Sequence, residues 1–382
     1  MANRSRPCII IDNGTEYLKA GLSTNNKPTT TVKREAVDDT LQEFLSDEQR
    51  RVRWMQGKES VVNFESLKRL WKVPIDEAKN YWSMFDVATK EFNVVLIKSE
   101  LHTERDIAEM AEILYEDFGI SGLYIGSESF LSMFWLQKPT GVVVDCGSSI
   151  SSVVVVQNYC RRHRTVLTFG GRDVTMSLLY DLATNYSDKF DYENPAHIKD
   201  VKRMKRRVAF VSTNHARDYM APYKGYSYFH KRAFEFDEER FMCGEGLFYP
   251  RLFEKSDVGI HRAVFDAIES QPQATQNELY NCIVLCGGGT LLKSFNERLL
   301  AELKILRKAK TTINVIAEKH RQYSAWLGAK KVIERLSNVF EEKLIVSRAA
   351  YEEQGPTIFE KRETATVFWE SSRKFEKLCG PQ

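Results

Sequence analysis

Two stretches of this 382-residue chain place an aspartate, any residue, a glycine and a small hydroxyl residue after an apolar run. The first is Ile9-Ile10-Ile11-Asp12-Asn13-Gly14-Thr15, and the second is Val142-Val143-Val144-Asp145-Cys146-Gly147-Ser148. Three apolar residues before a turn predict a buried strand. The glycine lets the backbone fold tightly. The threonine or serine then offers a hydroxyl and backbone N–H groups in the concave geometry that cradles phosphate. A third element, Ile283-Val284-Leu285-Cys286-Gly287-Gly288-Gly289-Thr290, is another apolar strand ending in a Gly-rich turn. Together the three predict a nucleotide clamp built from two similar lobes.

The elements that must position these residues follow from periodicity. Residues 8–32 read as a hairpin with Lys19 on the returning strand, and Val153 to Val156 read as the return of a second hairpin. Residues 33–73 are highly charged, with few strand signals before Phe64. The spacing of Ile107, Met110, Ala111, Leu114 and Tyr115 predicts an amphipathic helix over 104–118. A helix with a basic face is expected over 199–212, and a poorly periodic aromatic stretch over 213–240. The third strand, turn and helix occupy 282–304, another helix runs from about Tyr323 to Leu336, and the tail from Lys361 is polar. Strands alternating with helices give an α/β class.

Composition sets the broad class. Apolar content of 43% and charged content of 28% are those of an ordinary globular protein, long enough for two domains. The net charge of +3 argues neither for nor against nucleic acid. No apolar run approaches a membrane helix, and Met1 to Pro7 lead straight into a strand, so no secretory signal is expected. The seven cysteines show no metal-binding spacing and read as reduced, buried thiols.

In this order the elements resemble actin and the actin-related proteins. Asp12 to Gly21 (D-N-G-T-E-Y-L-K-A-G) is similar to the family's first phosphate loop, and Asp145 to Ser149 to its second. Gly170 to Thr175 resembles the entry to the large domain, and Cys286 to Thr290 the adenosine loop. Gln322-Tyr-Ser-Ala-Trp-Leu-Gly328 and Tyr351-Glu-Glu-Gln-Gly-Pro356 are specific to the actin branch of the superfamily. The resemblance implies an α/β, actin-like fold of two domains and four subdomains around a nucleotide cleft. A small domain would span 1–135, with subdomain 2 at about 33–73, completed by 324–382. A large domain would span 136–323, with subdomain 4 at about 172–255.

The resemblance also implies the ligands, ATP or ADP with Mg²⁺. Nucleotide binding would fall to Asp12, Asn13, Gly14, Thr15, Lys19, Asp145, Gly147, Ser148, Lys205, Gly287, Gly288, Gly289 and Thr290. Asp12 and Asp145 would hold the metal through its waters, since this hard ion prefers oxygen. Lys19 would set a point charge on the phosphates.

The departures from the family pattern bear on activity. Glu128 stands where a glutamine helps to position the attacking water, and Ser152 where a histidine does. Glu128 is thus a candidate base, yet a carboxylate is repelled by a triphosphate. Glu16 replaces a glycine in the first loop, and Ser148-Ser149 replace the usual Asp-Gly in the second. Arg206 and Gln322 replace a Glu and a Lys that contact the nucleoside, whereas Lys205 is retained. These changes predict weak or absent hydrolysis and weakened ATP binding.

Polymer contacts are altered too. The loop that actin inserts into a neighbour would fall at Asp38 to Arg53, here strongly charged with Leu41, Phe44 and Leu45 as an apolar stripe. The segment resembling the hydrophobic plug reads Leu252-Phe253-Glu254-Lys255. Lys199, Lys202, Arg203, Lys205, Arg206 and Arg207 form a basic run, and Arg161 to Arg164 a second cluster at an expected hairpin tip. Both read as solvated surface rather than as nucleic-acid sites. The expected protein is a structural subunit of a larger cytoskeletal assembly in the cytoplasm, with actin or actin-related subunits among its partners. It would touch neither membrane nor, directly, nucleic acid, and would not be a strong homopolymer. A nuclear chromatin-remodelling subunit and a slow polymerising ATPase are the alternatives.

Overall fold

The computed structural model describes residues 8–33, 64–83, 92–186, 189–191, 194–220, 225–229, 232–308, 312–336 and 340–359. The segment 38–53 and the tail from Lys361 lie outside the described residues. In chain order the strands are β1 Cys8–Asn13, β2 Tyr17–Leu22, β3 Thr30–Lys33, β4 Asn93–Lys98 and β5 Gly122–Ser127. They continue with β6 Gly141–Cys146, β7 Ser151–Gln157, β8 Cys160–Leu167, β9 Gly225–Phe229 and β10 Arg232–Phe236. The last are β11 Ile283–Cys286, β12 Val315–Ile316 and β13 Val346–Ser347. The chain divides into two compact units. Unit 1 is Met1–Pro139, Asn158–Arg161 and Tyr323–Gln382, and unit 2 is Thr140–Gln157 and Arg162–Gln322.

Each unit carries a mixed sheet, and the two sheets share one plan. Unit 1 has the order β13-β5-β4-β1-β2-β3, and unit 2 has β12-β11-β6-β7-β8. In unit 1, β1 runs antiparallel to β2 and parallel to β4. In unit 2, β6 runs antiparallel to β7 and parallel to β11. The first strand of each plan is central and buried along almost its whole length, which is why both read as unbroken apolar runs.

Unit 1 builds its core from both sides of β1. The helix Glu104–Glu116 buries Ile107, Met110, Ala111, Leu114 and Tyr115, the expected face. Thr103 caps it, accepting from Asp106 N at 3.1 Å while Thr103 N donates to Asp106 Oδ2 at 2.8 Å. The helix Phe64–Ser83 buries Leu67, Leu70, Trp71 and Ile75 despite Pro74 in its interior. Each such aliphatic side chain contributes about 1.5–3 kcal/mol. The helices Glu128–Leu136 and Ser324–Arg335 touch so closely that a Cβ on Gly328 would stand 1.9 Å from Leu131 O. Ser132 and Ser324 share a buried hydrogen bond of 2.9 Å at this contact.

The structure corrects three sequence expectations. The basic helix is Pro195–Val208, not 199–212. Asn194 caps it, accepting from Ala196 N, and Pro195 fits its first position. It ends at Val208 because Val211 N donates to Lys293 O and Phe210 forms an isolated bridge with Lys293. The stretch 213–240 holds a short helix, His215–Met220, and the β9–β10 hairpin. The cluster Arg161–Arg164 lies along β8 rather than at a hairpin tip. The tip is Asn158–Tyr159, at φ of 52° and 62°. Among the segments resembling polymer contacts, Leu252 is 55% exposed, whereas Phe253 turns inward with its ring 6.2 Å from that of Phe169.

Candidate functional site

The sequence-predicted residues fall into two sets, one in each unit. In unit 1, Asp12 ends the buried part of β1 and is 4% exposed. Register places Lys19 of β2 opposite it, and Lys19 Nζ stands 2.7 Å from Asp12 Oδ2. The turn between them is tight, for a Cβ on Gly14 would stand 2.5 Å from Tyr17 O. Thr15 is exposed and Glu16 half-buried in that turn. Asn13 turns into the fold: its Oδ1 accepts from Trp71 Nε1 at 2.9 Å, and its Nδ2 faces Met110 Sδ at 3.8 Å. Its side chain therefore anchors the first loop to two helices.

Glu128 is the first residue of the helix Glu128–Leu136, capped by Ser127, whose Oγ accepts from Phe130 N at 3.3 Å. A carboxylate at a helix N-terminus is stabilised by the helix dipole, so Glu128 has a local structural reason to be acidic. Sequence reasoning missed its neighbours. Glu100 is buried, accepts from Ser129 N and from Ser129 Oγ, and pairs with Arg161 Nη1 at 3.1 Å. No sequence signal joins residues this far apart.

The set in unit 2 is held by backbone. Asp145 is the last residue but one of β6, opposite Ser152 of β7 and beside Cys286 of β11. Ser152 is buried. Gly147 N donates to Ile150 O at 2.9 Å, closing the second loop. The helix Gly171–Asn185 then braces that loop, since Gly171 N donates to Gly147 O at 2.9 Å and Arg172 N to Ser148 O at 2.7 Å. Gly170 must be glycine, because a Cβ there would stand 2.7 Å from the carbonyl oxygens of Gly147 and Ser148. Lys205 donates to Gly171 O at 2.5 Å and Thr175 Oγ1 at 2.8 Å. Lys205 thus supports the brace, while Arg206 next to it is exposed.

The Gly-rich turn lies directly on the second loop. Gly287 has φ of +79°, and a Cβ on it would meet Cys146 O at 2.4 Å and Asp145 Oδ1 at 2.7 Å. A Cβ on Gly289 would meet Cys146 Sγ at 2.3 Å. Burial pushes the Cys146 thiol up to about 12, so it is an inert packing group. Gly288 differs: its backbone is ordinary and its missing side chain would project into open space. Arg321, not foreseen from sequence, fixes the turn. Its Nε donates to Thr290 Oγ1 at 2.9 Å and its Nη2 to Thr290 O at 2.7 Å, while its own carbonyl accepts from Gly287 N at 3.3 Å.

Comparison with known families decides the kinship. The family model described as Actin matches residues 4–364. The chain belongs to the actin family. Proteins of the actin family generally bind ATP or ADP with Mg²⁺. The residues of this chain fit such a ligand in their chemistry. The open space at Gly288 leaves room where a side chain would intrude, and Lys19 supplies a cation beside a tight glycine turn. Asp12 in unit 1 and Asp145 in unit 2 each carry the oxygen donors that Mg²⁺ takes. Among the described residues no three His, Cys, Asp or Glu side chains converge to hold a metal. A bound cation would complete its shell with water and phosphate oxygens, and would there neutralise phosphate charge.

Proposed function

We propose that this actin-family protein is a divergent actin-related subunit of a larger cytoskeletal assembly, binding adenine nucleotide for structural ends and hydrolysing it weakly or not at all. One observation carries the reading. The first hairpins of the two sheets share one register, Asp12 opposite Lys19 and Asp145 opposite Ser152. The loop backbones and both aspartates are kept, whereas the second hairpin presents only a hydroxyl where the family has a histidine. Serine is neither cation nor base at neutral pH. Glu128, the other water-positioning candidate, is placed to stabilise its own helix. The loops thus retain what phosphate binding needs and lack what the family uses to orient water.

In unit 1 Asp12 would meet Mg²⁺ through water, and Lys19 would meet phosphate once drawn from Asp12; in unit 2 Asp145 would offer the same kind of oxygen donor. Gly288 would admit the nucleoside. Glu254 and Lys255 in the plug-like segment and the charged segment 38–53 support heterologous partners over a homopolymer, since their charges are costly to bury against a like copy. Two measurements test this. Single-turnover phosphate release at saturating Mg-ATP should be far slower than that of actin filaments; an equal rate would overturn it. Sedimentation of the pure protein with Mg-ATP should yield no long filaments, and abundant two-stranded filaments would refute the subunit reading.

A further inference from the structure

The basic run on the helix Pro195–Val208 divides into an inner and an outer set. Val201 and Met204 are buried in the core of unit 2, and Val208 packs partly against it. Lys205 also turns inward, donating to Gly171 O and Thr175 Oγ1. Lys199, Arg203, Arg206 and Arg207 are exposed, and Lys202 is half-buried. At 3.6 residues per turn these five outer cations fall within one arc of about 140°, opposite Val201 and Met204.

Two ordinary accounts explain only part of this face. Arg206 and Arg207 stand in the last turn, where cations offset the helix dipole. Lys199 and Arg203 lie before that turn. A solvated face also carries charge, but with both signs interspersed. Here a single acid, Asp200, accompanies the five outer bases, and it accepts from Arg203 Nη1 at 3.4 Å. Among the described residues Lys199 and Arg207 form no ion pair. Lys199, Arg203 and Arg207 therefore make a row of cations with one partner between them, each about 6 Å further along the helix axis.

A row of carboxylates at the same pitch, as a helix with an acid at every fourth residue presents, would match it. Nucleic acid fits the face less well. No aromatic side chain lies on the outward arc to stack on a base. The cations gather toward the helix C-terminus, whose carbonyl pole repels phosphate. The net charge of +3 gives the chain no general attraction to polyanions.

We propose that Lys199, Arg203 and Arg207 form a docking surface for an acidic helical segment of a partner protein, with Lys202 and Arg206 flanking the contact. The contact needs neither nucleotide binding nor slow hydrolysis, so its failure would leave those readings standing. The test uses the full-length chain without nucleotide at low ionic strength, where exposed charges are least screened. The probe is a fluorescent, alanine-rich helical peptide with glutamate at every fourth residue. One counterpart has the same composition with the glutamates scattered around the helix, and a second carries lysine for each glutamate. Binding is read by anisotropy against the intact chain and two triple variants. The row variant is Lys199→Gln with Arg203→Gln and Arg207→Gln. The control variant, Lys293→Gln with Lys304→Gln and Lys308→Gln, removes three other exposed cations. Thermal melts confirm that both fold. The row peptide should bind the intact chain, lose at least about fivefold in affinity on the row variant and keep its affinity on the control variant. The scattered peptide should bind the intact chain at least about threefold more weakly than the row peptide. No binding, equal losses on both variants, equal binding of the row and scattered peptides, or binding of the lysine peptide as tight as that of the row peptide would overturn the proposal. A short DNA fragment that binds more tightly than the row peptide, and loses that affinity on the row variant, would overturn it in favour of nucleic acid.

Discussion

Lys19 and Asp12 face each other across the first hairpin, ammonium to carboxylate at 2.7 Å. The pair joins the two residues that would otherwise serve phosphate and metal separately. Asp12 is almost wholly buried, so the lysine compensates a charge that the strand alone would not tolerate. A phosphate group arriving at this loop would compete with Asp12 for Lys19, and a divalent cation would compete with Lys19 for Asp12.

Lys19→Ala is therefore expected to act twice. Nucleotide affinity, read by titration calorimetry, should fall by at least about tenfold, as removal of one charge-assisted hydrogen bond to phosphate predicts. Stability should fall by about 1–3 kcal/mol in urea unfolding, because Asp12 keeps its burial without its partner. Unchanged affinity would remove Lys19 from the site, and unchanged stability would mean that water reaches Asp12.

The three consecutive glycines separate fold from ligand. Gly287→Ala is strained by its positive φ and by the Cys146 carbonyl, and Gly289→Ala collides with the Cys146 side chain. Both should destabilise by about 1–3 kcal/mol. Gly288→Val meets open space in an ordinary backbone, and should stay within about 0.5 kcal/mol of the parent. If the turn receives a nucleoside, Gly288→Val nevertheless abolishes nucleotide binding in the same calorimetric assay. A Gly288→Val protein that binds as tightly as the parent would show that the turn serves only the fold.

Which parts were legible in sequence follows a physical pattern. Val142 to Val144 and Ile9 to Ile11 announce central strands because both faces of such a strand are apolar. The helix Glu104–Glu116 shows its buried face at the expected spacing. The helix Phe64–Ser83 hid behind Pro74 and a charged exterior, although Leu67, Leu70 and Trp71 form its buried stripe. The end of the basic helix at Val208 depends on Lys293, far along the chain, which no local pattern reveals. In the candidate site, glycines and aspartates could be read because turn chemistry is local. Arg321 on Thr290, and Glu100 with Ser129 and Arg161, could not, because only folding brings them together.

Asp181 gives a pH prediction with a definite sign. Burial, with the charges of Glu239 and Glu238 in support, pushes its carboxyl up to about 6 in the folded chain, against an ordinary value of 3.8. Between these values the folded state holds more protons than the unfolded state, so this group's contribution falls as pH rises. Above about pH 6 the full penalty applies, and below about pH 4 it vanishes. Asp181→Asn should raise stability at pH 7.5 by on the order of 1 kcal/mol, after allowing for solvent screening of a half-exposed group. That gain should disappear near pH 4 in urea melts across the range. A gain independent of pH would assign the effect to packing instead.

Arg298 supplies the last prediction, in the core of unit 2. Its Nη1 and Nη2 donate to Glu245 Oε1 and Oε2 at 2.9 and 3.0 Å, its Nε to Glu302 Oε1 at 2.8 Å, and Nη1 also to Ser212 O at 2.5 Å. Its guanidinium lies over Phe248 at 4.8 Å. Lysine has neither the planar fork nor the stacking face, so Arg298→Lys is not conservative here. Glu245 is 4% exposed, and His215 Nε2 lies 3.1 Å from its Oε1. Arg298→Met should cost about 3–5 kcal/mol, because a buried carboxylate is deprived of its bidentate partner. Pairing Arg298→Met with Glu245→Leu removes the stranded charge and should recover much of that stability. The comparison is a double-mutant cycle in urea. If the double variant is as unstable as the sum of the two single variants, the damage lies in the packing around Phe248 and Ser212, and the ion pair is not what holds this region together.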